Sequence, residues 1–162
     1  MSIQSILASA FNTLATRGSI RASGYAVPTS ACTSIDRLSS GDRILAALWV
    51  TRTVEKTLDA VSRAFITAKY TGPSKERDSA LDVLTAAILT ARVNPELMRA
   101  VVEREFIVGE TYCPSTVKLG KDHGTSHVTA WKYAERVRLA IIEIGNNAYS
   151  MLKPAFESKG YC

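Results

Sequence analysis

Residues 114–141 read PSTVKLGKDHGTSHVTAWKYAERVRLAI, and this stretch decides the fold class of the chain. The pattern predicts a short helix, a tight turn at Gly124 and a second helix that carries positive charge. Pro114 suits the entry to the first helix, which Ser115 or Thr116 can cap. Gly124 is expected at positive φ in the turn. The whole stretch therefore has the form of a helix-turn-helix, a device that places side chains in the DNA major groove.

The same frame assigns an inner and an outer face to the two helices. Gly120 falls where the helices cross closely, so a minimal side chain is expected there, and Thr125 or Ser126 can cap the second helix. The inner residues are predicted to be Val117, Leu119, Val128, Trp131 and, on the same pattern, Ala130. An ordinary αα-corner has the same features, so the pattern alone leaves that alternative open.

The outer face supplies the predicted DNA contacts. Side chains near the turn can reach base edges, and flanking basic residues, Arg138 among them, can pair with phosphate oxygens. The predicted DNA-binding set is Lys118, Lys121, Thr125, Ser126, His127, Thr129, Ala130, Lys132, Tyr133 and Arg136.

Composition agrees with a polyanionic partner without requiring one. The chain has 162 residues, a net charge of +5 and 46% hydrophobic residues, and its sequence pI is about 9.2. A solvated basic surface with no partner gives the same balance. The sequence has no run of eighteen apolar residues, so no membrane span is predicted, and the N-terminus does not resemble a secretory signal. We expect a cytoplasmic protein with no membrane partner.

Cysteine usage predicts neither a disulfide framework nor a metal. Cys32, Cys113 and Cys162 are widely separated and odd in number. Cys113 with His123 and His127 could be imagined as zinc ligands, but there is no CxxC and no fourth ligand nearby. We predict no metal and no cofactor.

Periodicity predicts an all-α chain in three parts: an N-terminal helix over residues 1–16, an arm or linker over 17–38, and a helical body over 39–162 with the helix-turn-helix at about 115–142. The N-terminal helix could pack on its own domain or dock on a partner. Arginines and a tyrosine of the arm, Arg17, Arg21 and Tyr25, could touch nucleic acid or belong to a solvated loop.

The body is predicted to contain several amphipathic helices. The run from Ile44 to Tyr70 is one long helix or two with a bend, and a further helix covers Asp78–Arg92. Asn94 and Pro95 predict the start of the next helix, whose region carries the acidic residues Glu96, Glu103, Glu105 and Glu110. The last helix is expected to run to about Leu152 and to stop at Pro154.

Enzyme signatures are missing. There is no GxxxxGK[ST] loop, GxSxG elbow, HExxH or dinucleotide GxGxxG. Asp78 and Asp82 share a helix face, but a two-metal site needs acids from other segments, and ordinary helix solvation explains them better. The sequence predicts a protein that is not an enzyme.

The chain resembles, over essentially its full length, the Q antitermination proteins of lambdoid phages, in particular the phage 21 type. The likeness rests on chain size, the N-terminal helix and arm, the run DRILAALWVTRTVEKTLDAV and the run VKLGKDHGTSHVTAWKYAERVRLAI. The latter also looks like the DNA-reading part of bacterial sigma-factor region 4. Other Q families have a cysteine-rich zinc element that this chain lacks.

The resemblance implies a transcription antitermination factor in a bacterial host cell. Such a protein binds a Q-binding DNA element near a phage late promoter, one copy or two, and loads onto RNA polymerase while the sigma factor is engaged. It then narrows and extends the RNA-exit channel, so that nascent RNA passes through and terminator hairpins cannot close. A channel of this kind needs a basic lining, for which the candidates are Arg17, Arg21, Arg43, Arg52 and Lys56. The alternative is a sequence-specific helix-turn-helix repressor or activator that binds a palindrome as a homodimer.

Overall fold

Seven helices and no strands account for the regular structure of residues 2–17, 40–89, 93–107 and 114–160, which are the residues that the computed structural model describes. The helices are α1 (Ile3–Arg17), α2 (Ser40–Thr57), α3 (Ala60–Tyr70), α4 (Lys75–Ile88), α5 (Pro95–Glu105), α6 (Thr116–Asp122) and α7 (His127–Ser158). The predicted all-α class is confirmed for this part of the chain. Apart from Arg17, the predicted arm lies outside the described residues, as do Gly109, Glu110 and Cys113.

Local capping sets the helix boundaries. The run from Ile44 to Tyr70 is two helices, because Asp59 interrupts it and caps α3 by accepting a hydrogen bond from the Ser62 N–H at 2.7 Å. That backbone hydrogen bond stabilises the ionised carboxylate and lowers the pKa of Asp59. Asn94 caps α5 with Pro95 in its first turn, as predicted. Helix α4 ends at Ile88, earlier than the predicted Arg92.

Helix α7 is the centre of the fold and packs against α1, α2, α3, α5 and α6. Its buried face carries small residues where the helices come closest. A Cβ added to Gly145 would lie 2.7 Å from Cζ of Phe65, so only glycine fits beside that ring. Helix α1 buries Ile6 and Leu7 completely in the same core, so it packs on its own domain. None of the described helices combines the length and apolarity needed to span a bilayer.

A lysine sits among aromatic rings where α3 meets α7. Lys69 Nζ donates a hydrogen bond to Tyr149 Oη at 2.8 Å and lies 5.4–5.6 Å from the ring centroids of Phe65, Tyr70 and Tyr149. The hydroxyls of Tyr70 and Tyr149 are 3.0 Å apart, and burial raises the pKa of Tyr70. Cation–π attraction and a neutral hydroxyl acceptor together stabilise the charge at this contact.

The prediction that Pro154 stops the last helix is wrong. Helix α7 continues past Pro154 to Ser158. Phe156 is fully buried and packs against Trp49 with ring centroids 5.6 Å apart. Burial of this ring holds the final turn in helical form, although proline removes one backbone donor and crowds the preceding turn.

Replacement of Pro154 by alanine should therefore stabilise the protein. Proline in a helix interior costs up to about 3 kcal/mol, and Pro154 is exposed, so its removal leaves no cavity. We expect Pro154→Ala to raise the free energy of unfolding by about 1–3 kcal/mol in urea denaturation. Asn147→Ala, at another exposed position of α7, is the control and should gain less than about 1 kcal/mol from helix propensity alone. An unchanged or lower stability of Pro154→Ala would contradict this account.

Candidate nucleic-acid interface

Two serine caps and a glycine define α6, the start of α7 and the turn between them. The Ser115 hydroxyl accepts a hydrogen bond from the Lys118 N–H at 3.2 Å and caps α6. The Ser126 hydroxyl accepts from the Thr129 N–H at 3.1 Å and caps α7. Between them Gly124 has a φ of +63°, a conformation that glycine adopts without strain. The predicted caps and the predicted positive φ are confirmed.

Gly120 is the contact point between α6 and the turn. A Cβ at this position would lie 2.9 Å from the Thr125 carbonyl oxygen and 3.1 Å from the His127 nitrogen. The Thr125 N–H also donates to the Gly120 carbonyl oxygen at 2.8 Å. The backbone of Gly120 therefore contacts the backbone of residues 125–127 directly. This contact confirms the predicted close approach and sets the direction in which α7 leaves the turn.

The predicted inner face is only partly right. Leu119 is buried, as predicted, but Val117, Val128 and Trp131 are exposed, Trp131 by 56%. Ala130 is fully buried, so this member of the predicted DNA-binding set does not reach the surface. Ala130 and Ala134 form the inner face because short side chains allow neighbouring helices to come close. In this first part of α7 the large apolar residues lie outside the inner face.

The remaining members of the predicted DNA-binding set are accessible to different degrees. Thr125, Thr129 and Tyr133 are half-buried. The exposed members are Lys118, Lys121, Ser126, His127, Lys132 and Arg136. Lys132 and Arg136 are four residues apart, so they lie on one side of α7. The structure therefore brings cations from both helices to the surface around the turn.

These cations lack carboxylate partners. Among the described residues, no carboxylate lies within ion-pair distance of Lys118, Lys121, Lys132 or Arg136. In contrast, Arg138 pairs with Glu135 at 3.8 Å. The first turn of α7 adds the positive end of the helix dipole and those backbone N–H groups that Ser126 does not already bind. This surface can accept phosphate oxygens without first breaking an ion pair.

The hydroxyls at the start of α7 are already engaged with each other. Ser126 Oγ and Thr129 Oγ1 are 2.9 Å apart, and Ser126 Oγ also accepts the capping hydrogen bond. The hydroxyl pair retains one proton to donate. His127, exposed in the first turn of α7, and Lys132, one turn further along, are freer to contact a base edge.

The predicted RNA-lining residues are less well defined. Arg21 and the side chain of Arg17 lie outside the described residues. Arg43 is half-buried. Arg52 and Lys56 are exposed and four residues apart on α2, the helix that also exposes Leu45 and Leu48. The structure thus places two of the five candidates together on one exposed helix surface.

The acidic residues of α4 and α5 form an ion-pair cluster around one arginine. Arg99 lies 2.8 Å from Asp82, 3.3 Å from Glu103 and 3.7 Å from Asp78. Asp78 and Asp82 are thus paired with Arg99. In the described part of the chain, no group of three or more His, Cys, Asp or Glu side chains is arranged to hold a metal ion. Of the imagined zinc set, Cys113 lies outside the described residues.

Two surface features escape prediction from the sequence. An open cleft of about 700 Å³ lies between α1, α2, α3 and the start of α4, with Phe11, Val54 and Tyr70 among its lining residues. No predicted site residue lines this cleft. Helix α7 also exposes Leu139 and Ile142. The helical period of 3.6 residues could have predicted the exposure of Ile142, because Ile141 and Ile142 cannot both face inward.

Comparison of the chain with protein-family models, with curated proteins and with solved structures finds no match in any of the three.

The two glycines should respond differently to alanine. Gly120→Ala forces backbone atoms apart and should lower the free energy of unfolding by about 1–3 kcal/mol. Gly124→Ala meets no atom within 4 Å, so only the positive φ costs energy, about 1–2 kcal/mol. Gly160, also at positive φ with no atom within 4 Å, is the control for the cost of positive φ alone, and Gly160→Ala should also lower stability by about 1–2 kcal/mol. Urea denaturation measures all three. A Gly120→Ala variant as stable as the original chain would refute the close contact.

Proposed function

We propose that α6 and α7 form a DNA-binding helix-turn-helix, similar to that of sigma region 4, in a transcription antitermination factor. One observation carries the proposal: four exposed cations on α6 and the first half of α7 have no ion-pair partner among the described residues. A surface of this kind is suited to a phosphate backbone, because binding releases counterions and breaks no ion pair among the described residues. The helix-turn-helix form and the net charge of +5 support the same proposal.

Roles follow from position on the two helices. Lys118 and Lys121 on α6 flank the turn and contact phosphates, as does Arg136 two turns into α7. His127 and Lys132 lie at the start of α7, which enters the major groove and reads base edges. The backbone N–H groups of the first turn bind a further phosphate.

The resemblance to the Q proteins adds an effect on transcription, antitermination, to the proposed DNA binding. The protein binds its DNA element near a late promoter and then transfers to RNA polymerase with its sigma factor. There it narrows and extends the RNA-exit channel, so that a terminator hairpin has no room to close. Arg52 and Lys56 on α2 are the described residues that we assign to the path of the nascent RNA. This is steric and electrostatic gating that breaks no covalent bond.

Substitutions separate base contacts from phosphate contacts. Lys132→Ala and His127→Ala should each weaken binding to the cognate element by about 1–3 kcal/mol. Lys118→Ala should weaken binding to all sequences alike and reduce the slope of log affinity against log salt by about one. Fluorescence anisotropy with specific and scrambled duplexes measures both effects.

Arg52→Ala is the matched control, since it removes an exposed cation from α2. It should leave DNA binding unchanged. If Lys118→Ala, Lys132→Ala and His127→Ala behave identically, the division of roles is wrong. If Arg52→Ala weakens binding as much as they do, the assigned surface is wrong.

Transcription in vitro tests the antitermination step. On a template with the cognate promoter and a downstream terminator, the protein should increase readthrough severalfold. Arg52→Ala combined with Lys56→Ala should reduce readthrough while DNA binding is retained, since the proposed RNA path lies on α2. An unchanged termination efficiency, with the DNA element demonstrably bound, would count against antitermination.

One observation favours a second candidate, a dimeric repressor or activator. Helix α7 exposes large apolar side chains beside the proposed DNA contacts, and such a surface is suited to pairing with another copy. Footprinting separates the two candidates. A palindrome with half-sites about one helical turn apart indicates the repressor or activator. A direct repeat or a single site beside a polymerase pause indicates antitermination.

A further inference from the structure

One side of α7 carries a regular row of exposed side chains, which lies between the proposed base contacts His127 and Lys132. The row consists of Val128, Trp131, Glu135, Arg138 and Ile142, and we call it the α7 seam. Val128, Trp131 and Ile142 are each about half exposed, and the side chains of Glu135 and Arg138 are 45% and 52% exposed. Leu139, at 58% exposure, borders it.

The spacing of the α7 seam is that of a coiled coil. Its successive steps are three, four, three and four residues, which keeps all five side chains on one side of a helix. The seam is about 21 Å long at 1.5 Å per residue. Apolar residues occupy both ends and a charged pair occupies the middle, an arrangement that specifies register and orientation at some cost in stability.

We propose that two copies of this protein pair antiparallel through the α7 seam. A two-fold axis passing between positions 136 and 137 makes the seam from Trp131 to Ile142 complementary to itself and leaves Val128 beyond the paired positions. Glu135 then faces the partner subunit's Arg138, and Arg138 faces the partner subunit's Glu135. At the ends, Trp131 packs against the partner subunit's Ile142. A parallel pair would instead place Glu135 beside Glu135 and Arg138 beside Arg138.

Charge identifies the second copy as the occupant. A partner helix would need a cation opposite Glu135 and an anion opposite Arg138, with an apolar residue on each side of this pair. A second copy of the seam, running antiparallel, supplies these residues in that order. The Arg138–Glu135 contact within one chain is long, at 3.8 Å, and half exposed. Exchange of these partners across the dimer therefore costs little.

The α7 seam lies between the two proposed base contacts. Each residue advances about 100° around a helix axis, so Lys132 lies about 60° from Glu135 on one side and His127 about 80° on the other, whereas Arg136 lies about 100° away. Pairing therefore shares part of the α7 surface with the proposed base contacts. It does not rest on DNA binding, because it is measured without nucleic acid.

Charge reversal gives a sharp test by sedimentation equilibrium of the full chain. The original protein should form a reversible dimer with a Kd on the order of 10 µM, because the interface is below standard size. Glu135→Arg and Arg138→Glu should each weaken self-association about a hundredfold, since like charges then face each other twice. An equimolar mixture of these two variants should recover dimerisation, because every facing pair is again of opposite charge.

Leu45→Glu is the control, as Leu45 is exposed on α2, away from the seam. It should leave the dimer intact. Circular dichroism of each variant confirms that the helices are folded. A monomeric original protein at about 200 µM, a dimer unaffected by both reversals, or a mixture that stays monomeric overturns the proposal. Loss of DNA binding with an intact dimer would instead overturn the proposed function alone.

Discussion

The contact between Gly120 and the backbone of the following turn is the constraint on which the rest depends. Any Cβ at this position would lie 2.9 Å from the Thr125 carbonyl oxygen, so only hydrogen fits there. This contact sets the direction of α7, a helix of 32 residues. Helix α7 then passes through the centre of the fold. The absence of a side chain at Gly120 therefore sets the position of the exposed start of α7 and also of the core that its second half shares with α3 and α5.

Helix α7 serves the core and the surface at once, and its sides are divided accordingly. The inner side uses Ala130, Ala134 and Gly145, which allow close packing. Cations occupy a second side, and exposed apolar residues a third. A helix arranged in this way places the proposed nucleic-acid contacts beside the proposed dimer contact, and both surfaces remain rigidly connected to the core.

Local chemistry makes much of the fold predictable. Ser115, Ser126 and Asn94 cap helices because hydroxyl and amide oxygens satisfy free N–H groups within three residues, so nearby sequence suffices. Facing directions are harder to predict. The pattern places Val128 and Trp131 on the inside together with Ala130, but tight packing accepts only the short side chain of Ala130 there. Partners distant in sequence, such as Arg99 with Asp82 or Phe156 with Trp49, are set by tertiary structure.

The lysine held among aromatic rings has a consequence for a protein proposed to bind a polyanion. In the described residues no carboxylate neutralises Lys69, and its stabilisation comes from ring faces and the Tyr149 hydroxyl. Buried contacts of this type are screened far less than exposed charges. A salt concentration high enough to release nucleic acid bound at the outer surface should therefore leave the contact between α3 and α7 intact. Nucleic-acid binding and the stability of this contact should thus respond differently to ionic strength.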